Sequence, residues 1–199
     1  MKTLLASASA AFLLCLSALT GCASDSSGPK DVTTITINEG ERIAEARKLA
    51  ARAQQARDPE DAVRFYRDAV TAWSDFPGAW NNLGVLHLEA GRYINAADAF
   101  TNASERAPSD PRPLYNLGLT WERTRHLREA AGFYADALER DPRYLPALRG
   151  VIYARARLGE SDEATLDRLR IALFQETNSE WRAYFELRKI EVEAELSEQ

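Results

Sequence analysis

The sequence predicts an all-α protein made of stacked helical hairpins, and three observations predict it. First, "WNNLGVLHLEAGRYINAADAF" from Trp80 to Phe100 and "LYNLGLTWERTRHLREAAGFY" from Leu114 to Tyr134 keep one pattern of apolar and small residues at an offset of 34. Second, the interval persists, because blocks of 34 counted from Ile43 put Ala62, Ala96, Ala130 and Ala164 in one column and Ala69, Ala103, Ala137 and Ile171 in another. Third, apolar residues inside each block fall three and four apart in two stretches, split by short connectors such as "EAGRY" and "LGES". One hairpin cannot bury its own apolar face, so repeated hairpins must stack and share a continuous core.

Composition agrees with such a stack and narrows its partners. The chain has 199 residues, 45% of them hydrophobic, enough for one sizeable core or a short linear array. Its formal charge is −5, which disfavours nucleic acid as a partner. Of its 25 basic residues 21 are Arg, but they alternate with Glu and Asp and read as a solvated mixed-charge surface.

The elements follow in chain order. Residues 1–21 have the layout of an export signal, with Lys2, a mostly apolar segment from Leu4 to Thr20 and small residues before Cys22. The segment is too short and too interrupted by Ser for a membrane span. "LTGC", Leu19 to Cys22, resembles the bacterial lipobox, whereas Cys15 follows Leu14, too bulky for a cleavage site that takes small side chains. That resemblance implies a covalent lipid on Cys22, with each buried methylene adding about 0.8 kcal/mol of membrane affinity. Ala23 after the cysteine favours the outer membrane over the inner, with the protein facing the periplasm. With Cys22 modified and Cys15 removed no free thiol is left, so disulfides, thiolate metal sites and cysteine nucleophiles are excluded. Residues 22–41, "CASDSSGPKDVTTITINEGE", show no helical period and are expected to form a lipidated flexible tether.

Residues 42–178 hold about four repeats, of which 77–110 and 111–144 are the clearest. A third column holds Tyr66, Phe100, Tyr134 and then Arg168, and a fourth holds Ser74, Pro108, Pro142 and Glu176. Leu83-Gly84 and Leu117-Gly118 recur in the two middle blocks. Small residues at Gly84, Ala96 and Gly118 let backbones approach, while Phe100 and Tyr134 fill the space between hairpins. Helix starts are expected at Asp58-Pro59, Asp110-Pro111, Asp141-Pro142 and Ser161, where a side chain caps free amides or Pro fits the first turn. Trp80, Leu83, Gly84, Ala96, Phe100, Ala103 and Pro108 resemble the tetratricopeptide repeat signature. The resemblance implies a right-handed superhelix. It fades at both ends, where Ala46 and Ala50 stand for the aromatic and Gly, and Val151-Ile152 for Leu-Gly, as capping repeats do. Residues 179–199 are expected to form a terminal helix opened by a Thr177 to Glu180 capping box and sealed onto the stack by Trp181, Tyr184 and Phe185.

The resemblance also implies that the first helix of each pair lines a concave groove. Carrying the groove positions over gives Arg47 and Gln54, then Asn81, Asn82, Val85, Leu88 and Glu89, then Arg112, Tyr115, Leu119, Glu122 and Arg123, and finally Arg149, Tyr153 and Arg157. Arg offers itself to carboxylates, and Tyr and Leu to an extended or helical peptide. Arg47, Asn82 and Arg112 fall on the positions of a carboxylate clamp known from co-chaperones of this family, but Ala51 and Asn116 depart from it. No catalytic residue and no metal site is expected. His87 and His126 lack a spaced second ligand, and no nucleophile motif or phosphate loop is present. An acid pair of Glu89 and Glu122 is the sole catalytic alternative, and solvation explains both as well. The expectation is therefore a non-enzymatic adaptor with no cofactor beyond the lipid on Cys22. It would hold other envelope proteins or peptides, as pilotin-like or peptidoglycan-enzyme-docking lipoproteins of this kind do. A structural coat of self-associating copies is the alternative.

Overall fold

The computed structural model describes the backbone of residues 32–198 and side chains from residue 39. The leader, Cys22 and the first part of the expected tether lie outside the described residues. Among the described residues there are nine helices and no strand: α1 (Val32–Gln55), α2 (Pro59–Ala72), α3 (Pro77–Glu89), α4 (Tyr93–Arg106), α5 (Arg112–Arg123), α6 (Leu127–Arg140), α7 (Leu145–Leu158), α8 (Glu163–Gln175) and α9 (Ser179–Ser197). Consecutive helices pack in pairs, α1 with α2, α3 with α4, α5 with α6 and α7 with α8. Each pair rests on the next through α2 on α3, α4 on α5 and α6 on α7, and α9 closes the series on α8. The all-α stack read from the columns is the fold.

Local chemistry sets the boundaries, with four corrections to the sequence reading. Helix α1 begins at Val32, so residues 32–41 of the expected flexible tether are helical. The buried Ala46, Ala50 and Ala53 fix the downstream turns, and extending a nucleated helix costs only the weak propensities of the added residues. Asp58 caps α2 as expected, accepting the Glu60 N–H at 3.0 Å. Asn178, not Thr177, caps α9, accepting the amides of Glu180 and Trp181 at 3.0 Å each. Asp162, not Ser161, caps α8 by accepting the Thr165 N–H at 2.7 Å. Burial pushes the Asp162 carboxyl up, but hydrogen bonds from Thr165 and Arg155 outweigh it and hold the group at about 2. Asp141-Pro142 starts no helix: Asp141 is the C-cap of α6, and α7 begins at Leu145 with Pro146 in its first turn.

Two apolar clusters fill the stack. Ala50, Val63, Tyr66, Ala79 and Leu83 form one around α1 to α3. Phe100, Leu117, Tyr134, Leu148, Ile152 and Phe185 belong to the other, which runs to α9. The aromatic plugs depend on glycine. A Cβ on Gly84 would lie 2.5 Å from the Phe100 ring. Tyr134 is held between two glycines, because a Cβ would meet its ring at 2.5 Å from Gly118 and at 2.6 Å from Gly150. Gly118→Ala is expected to cost about 1–3 kcal/mol in urea unfolding, the range for overpacking a core. A variant as stable as the parent would show that the ring has room to shift.

The code ends in the fourth pair. Arg168 occupies the aromatic column and the buried Ile152 stands where the second and third pairs have glycine. Burial lowers the pKa of the Arg168 guanidinium, and its Nη1 has no hydrogen-bond partner among the described residues. Helix α9 then covers the stack with Phe185 and Val192, both fully buried. On its outer face Leu187 and Ile190 are 58% and 64% exposed.

The connectors also repeat. Gly91 and Gly159 take φ of 71° and 68°, and Arg125, midway between them at the same interval, takes 67°. The left-handed conformation costs a residue with a Cβ roughly 1–2 kcal/mol, partly offset by the flexibility glycine brings to the unfolded chain. Arg125→Gly is therefore expected to stabilise the protein by about 0.5–1 kcal/mol in thermal or urea unfolding, and a destabilised variant would contradict the strain.

Candidate functional site

The first helices of the pairs build a groove one face at a time. On α5, Tyr115, Leu119 and Glu122 are spaced four and three apart and share a face. With Arg149, Gly150 and Tyr153 of α7 and Trp181 of α9 they line a cleft of about 290 Å³. A second cleft of about 270 Å³ joins Glu122, Arg125, Leu127, Tyr153 and Arg157. A third of about 330 Å³ is bounded by Tyr153, Glu180, Trp181 and Tyr184. Tyr153 lines all three, so they form one continuous groove over α5, α7 and α9. A separate cleft of about 320 Å³ lies at the other end, between Gln54, Arg57, Tyr66, Asn82 and Val85.

The groove positions carried over from the resemblance divide into three sets. Leu119, Glu122, Tyr153 and Arg157 line the continuous groove, and Gln54, Asn82 and Val85 the separate cleft. Arg47, Glu89 and Arg123 are exposed. Others are engaged inside the fold. Asn116 Nδ2 donates to Asn81 Oδ1 at 2.9 Å, tying α3 to α5, and Asn82 Nδ2 donates to the Tyr66 hydroxyl at 3.0 Å. Leu88 is half-buried against the main core cluster.

Three expectations need correction. Arg149 is not free to hold a partner's carboxylate, because its Nε and Nη2 donate to the two oxygens of Glu176 at 2.8 and 2.7 Å. The Glu176 side chain is fully buried, and the hydrogen bonds from Arg149 hold its carboxyl below the usual range despite burial, which pushes it up. Arg112 is exposed but chelated by Asp110, with Nε and Nη2 at 2.9 and 2.7 Å from the carboxylate oxygens. Two of the three clamp positions, Asn82 and Arg112, are thus already occupied. Tyr115 is half-buried, with ring centroids 5.6 Å from Tyr134 and 5.8 Å from Tyr144, so it is a packing residue as much as a groove residue.

The remaining charges of the groove are mixed. Glu122 accepts the Tyr134 hydroxyl at 2.7 Å, and burial first, then that bond, raises the phenol pKa far above its ordinary value. Arg157 donates to the Tyr153 hydroxyl at 2.9 Å and lies over its ring. Glu89 is exposed at the end of α3 while Glu122 is bound to Tyr134, so the structure gives no sign of an acid pair. His87 accepts a hydrogen bond at 3.0 Å from Arg92 Nε, and burial followed by that guanidinium lowers its pKa. Among the described residues no group of three or more His, Cys, Asp or Glu could hold a metal ion.

Sequence reasoning missed Arg125, Glu180 and the groove role of Trp181 and Tyr184. For Arg125 the signal was its position midway between Gly91 and Gly159 in the 34-residue interval. For α9 it was the spacing, because Trp181 and Tyr184 lie one turn apart beside the buried Phe185 and turn toward α7 as the first helix of a further pair would.

Comparisons with known proteins agree with this geometry. The tetratricopeptide repeat family model matches residues 47–111 and 87–144. The chain is 30% identical over 86 residues to BBSome complex member BBS4 of Mus musculus, covering 43% of this chain and 16% of that protein. It is 32% identical over 90 residues to Cellulose synthase 2 operon protein C of Komagataeibacter xylinus, covering 45% of this chain and 7% of that protein. The match thus spans a small part of each relative's length. Among solved structures, a Thermobaculum terrenum O-GlcNAc transferase mutant superposes with a TM-score of 0.51 at 25% identity, over 69% of this chain and 25% of that one. The TPR2B domain of yeast Sti1 in its pHsp70 complex gives 0.50 at 19% identity over 60% of this chain and 97% of that one. MamA protein gives 0.55 at 17% identity over 71% and 75%. These last two likenesses are of fold alone.

Proposed function

The chain belongs to the tetratricopeptide repeat family, and from that premise we propose that it is a lipid-anchored adaptor of the bacterial cell envelope that recruits or positions other proteins. Repeats of this family are interaction scaffolds that hold other proteins or peptides, and this chain is a scaffold of that kind. One observation carries the further reading: Leu119, Tyr153, Trp181 and Tyr184 keep apolar surface open to a continuous groove instead of closing it into the core. Anchorage is assigned to a lipid on Cys22 on the strength of "LTGC", and the outer membrane on the strength of Ala23. Piloting an envelope assembly and docking a peptidoglycan enzyme fit the groove equally.

In-cell crosslinking followed by affinity purification tests this reading, with the parent beside Cys22→Ala and Leu119→Asp. A defined envelope protein recovered with the parent, and lost with both variants, is the expected result. Recovery undiminished by Leu119→Asp would move the site off the groove, and recovery undiminished by Cys22→Ala would remove the anchor from the mechanism. A second reading, self-association into a coat, is favoured by the exposed Leu187 and Ile190 on the outer face of α9. It predicts a mass in solution that rises with protein concentration.

A further inference from the structure

Helices α3, α5 and α7 end in the same way. The amides of Gly91, Arg125 and Gly159 bond back to the carbonyls of Leu88, Glu122 and Ala156, and those of Arg92, His126 and Glu160 to His87, Trp121 and Arg155. This closure calls for a left-handed residue just past the helix, and glycine supplies it twice. Arg125 supplies it at a φ of 67°, and among the described residues no other side-chain-bearing residue takes a positive φ. Strain of this kind concentrates at ligand clamps and switch regions. The Arg125 guanidinium makes no hydrogen bond or ion pair with the described residues, and it lines the cleft of about 270 Å³ with Glu122, Leu127, Tyr153 and Arg157.

The charge of this cleft is unbalanced. Arg157 is held in place, since its Nη1 donates to the Tyr153 hydroxyl at 2.9 Å and its guanidinium carbon lies 5.8 Å from that ring's centroid. It has no carboxylate partner among the described residues. Glu122, the one acid in the lining, accepts the Tyr134 hydroxyl at 2.7 Å and forms no ion pair with either guanidinium. Two acids beside the next connector are also engaged, Glu160 with Arg128 and Asp162 with Arg155. Arg123, 34 residues before Arg157, adds a further exposed and unpaired cation. Burial first and Glu122 second raise the Tyr115 phenol, while Arg149 and Arg123 oppose them, so the Arg123 charge is felt in the groove. Two planar forks of N–H donors above apolar surface from Leu127 and Tyr153 suit a carboxylate on a short aliphatic stem.

We propose that this cleft receives the side-chain carboxylate of an aspartate or glutamate from a protein partner, gripped by Arg125 and Arg157. The stem of that side chain lies on Leu127 and Tyr153, a contact that the carboxylate of a chain terminus does not bring. The clamp positions Arg47, Asn82 and Arg112 take no part, because none of them lines this cleft. The assignment rests on the groove being a protein-binding surface and names the chemistry that one stretch of it selects.

The test titrates the full chain with three probes at one ionic strength, held constant with sodium chloride. N-acetyl-glutamate amide carries a side-chain carboxylate, N-acetyl-glutamine amide carries none, and N-acetyl-glutamine acid carries only a terminal one. The readout is the Arg157 Nε–H resonance in nitrogen-15 spectra, identified by its loss in Arg157→Gln. The glutamate probe is expected to give a saturable shift and the glutamine amide to bind about tenfold more weakly. Arg125→Gly, which restores the residue of the other two connectors, is expected to remove most of that preference with the thermal midpoint at or above that of the parent. Arg157→Gln, followed at the Arg125 Nε–H, is expected to remove it too. Equal binding of the two amides, tighter binding of the terminal carboxylate, an unaltered preference in Arg125→Gly, or no saturable shift at the solubility limit would each overturn the assignment. The wider reading fails separately. If Leu119→Asp abolishes partner capture but Arg125→Gly leaves it intact, the groove is the docking surface and the arginine pair is not part of it.

Discussion

Tyr134→Ala is expected to destabilise the protein by about 3–5 kcal/mol, the cost of removing a buried aromatic side chain whose space cannot collapse. The ring is 1% exposed and lies against Gly118 on one side and Gly150 on the other, so neither wall has a side chain that could move in. It also sits midway along the array, where α6 packs on its partner α5 and joins the third pair to the fourth through α7. In a linear stack the interfaces carry the cooperativity, so the loss should appear as a broadened urea transition as well as a lower midpoint. Tyr134→Phe separates the two parts of the effect. It keeps the plug and removes only the hydroxyl that donates to Glu122, at an expected cost of about 1 kcal/mol. A Tyr134→Ala protein that unfolded as sharply and as late as the parent would show that the ring is not the joint between repeats.

Glu176→Gln is expected to cost about 2–4 kcal/mol, at the lower end of the range for breaking a buried ion pair, because the Arg149 side chain keeps 31% of its surface exposed. The carboxylate does three things at once. It accepts both hydrogen bonds of the Arg149 fork, it accepts the Asn178 amide at 2.9 Å, and it thereby fixes the turn that launches α9. The same pair sets a pH dependence. Because the folded-state pKa of Glu176 is lowered, its contribution is fully present above the ordinary carboxylate range and drains away as pH falls through the lowered value. Asp162, held at about 2, acts in the same direction. The parent should lose stability steeply below about pH 4, and Glu176→Gln should show a shallower loss over the same window. Identical acid slopes in parent and variant would mean that the pair contributes nothing to acid unfolding.

The stack itself was legible because its code is periodic. Gly84 with Phe100 and Gly118 with Tyr134 are the same size exchange written twice, and a packing rule that recurs can be read without knowing the fold. The end of the array was legible too, as Arg168 and Ile152 in place of ring and glycine. What stayed hidden was aperiodic. Arg149 and Glu176 lie 27 residues apart in different columns, so nothing in the sequence announces that the groove arginine is already bound. Asp110 and Arg112 are two residues apart, yet proximity alone does not say that the fork closes on the carboxylate instead of a partner. The helical start at Val32 was obscured for a different reason. Weak local propensity was overridden by anchoring further along the same helix, at Ala46 to Ala53.

The double glycine contact of Tyr134 has a consequence for how the protein could be lengthened. Gly118 belongs to the repeating pattern, but Gly150 does not, since the residue one interval before it is Asn116. A second copy of residues 111–144 spliced directly after the first would set an asparagine against the far side of the first copy's ring, where even a Cβ has no room. A copy of 77–110 placed before Pro111 instead puts Asn82 at the register position opposite the first copy's Phe100 that Asn116 holds in the native chain, so the residue type there is unchanged. The modules share a period and still have a fixed succession, and that succession is written in the absence of one methyl group.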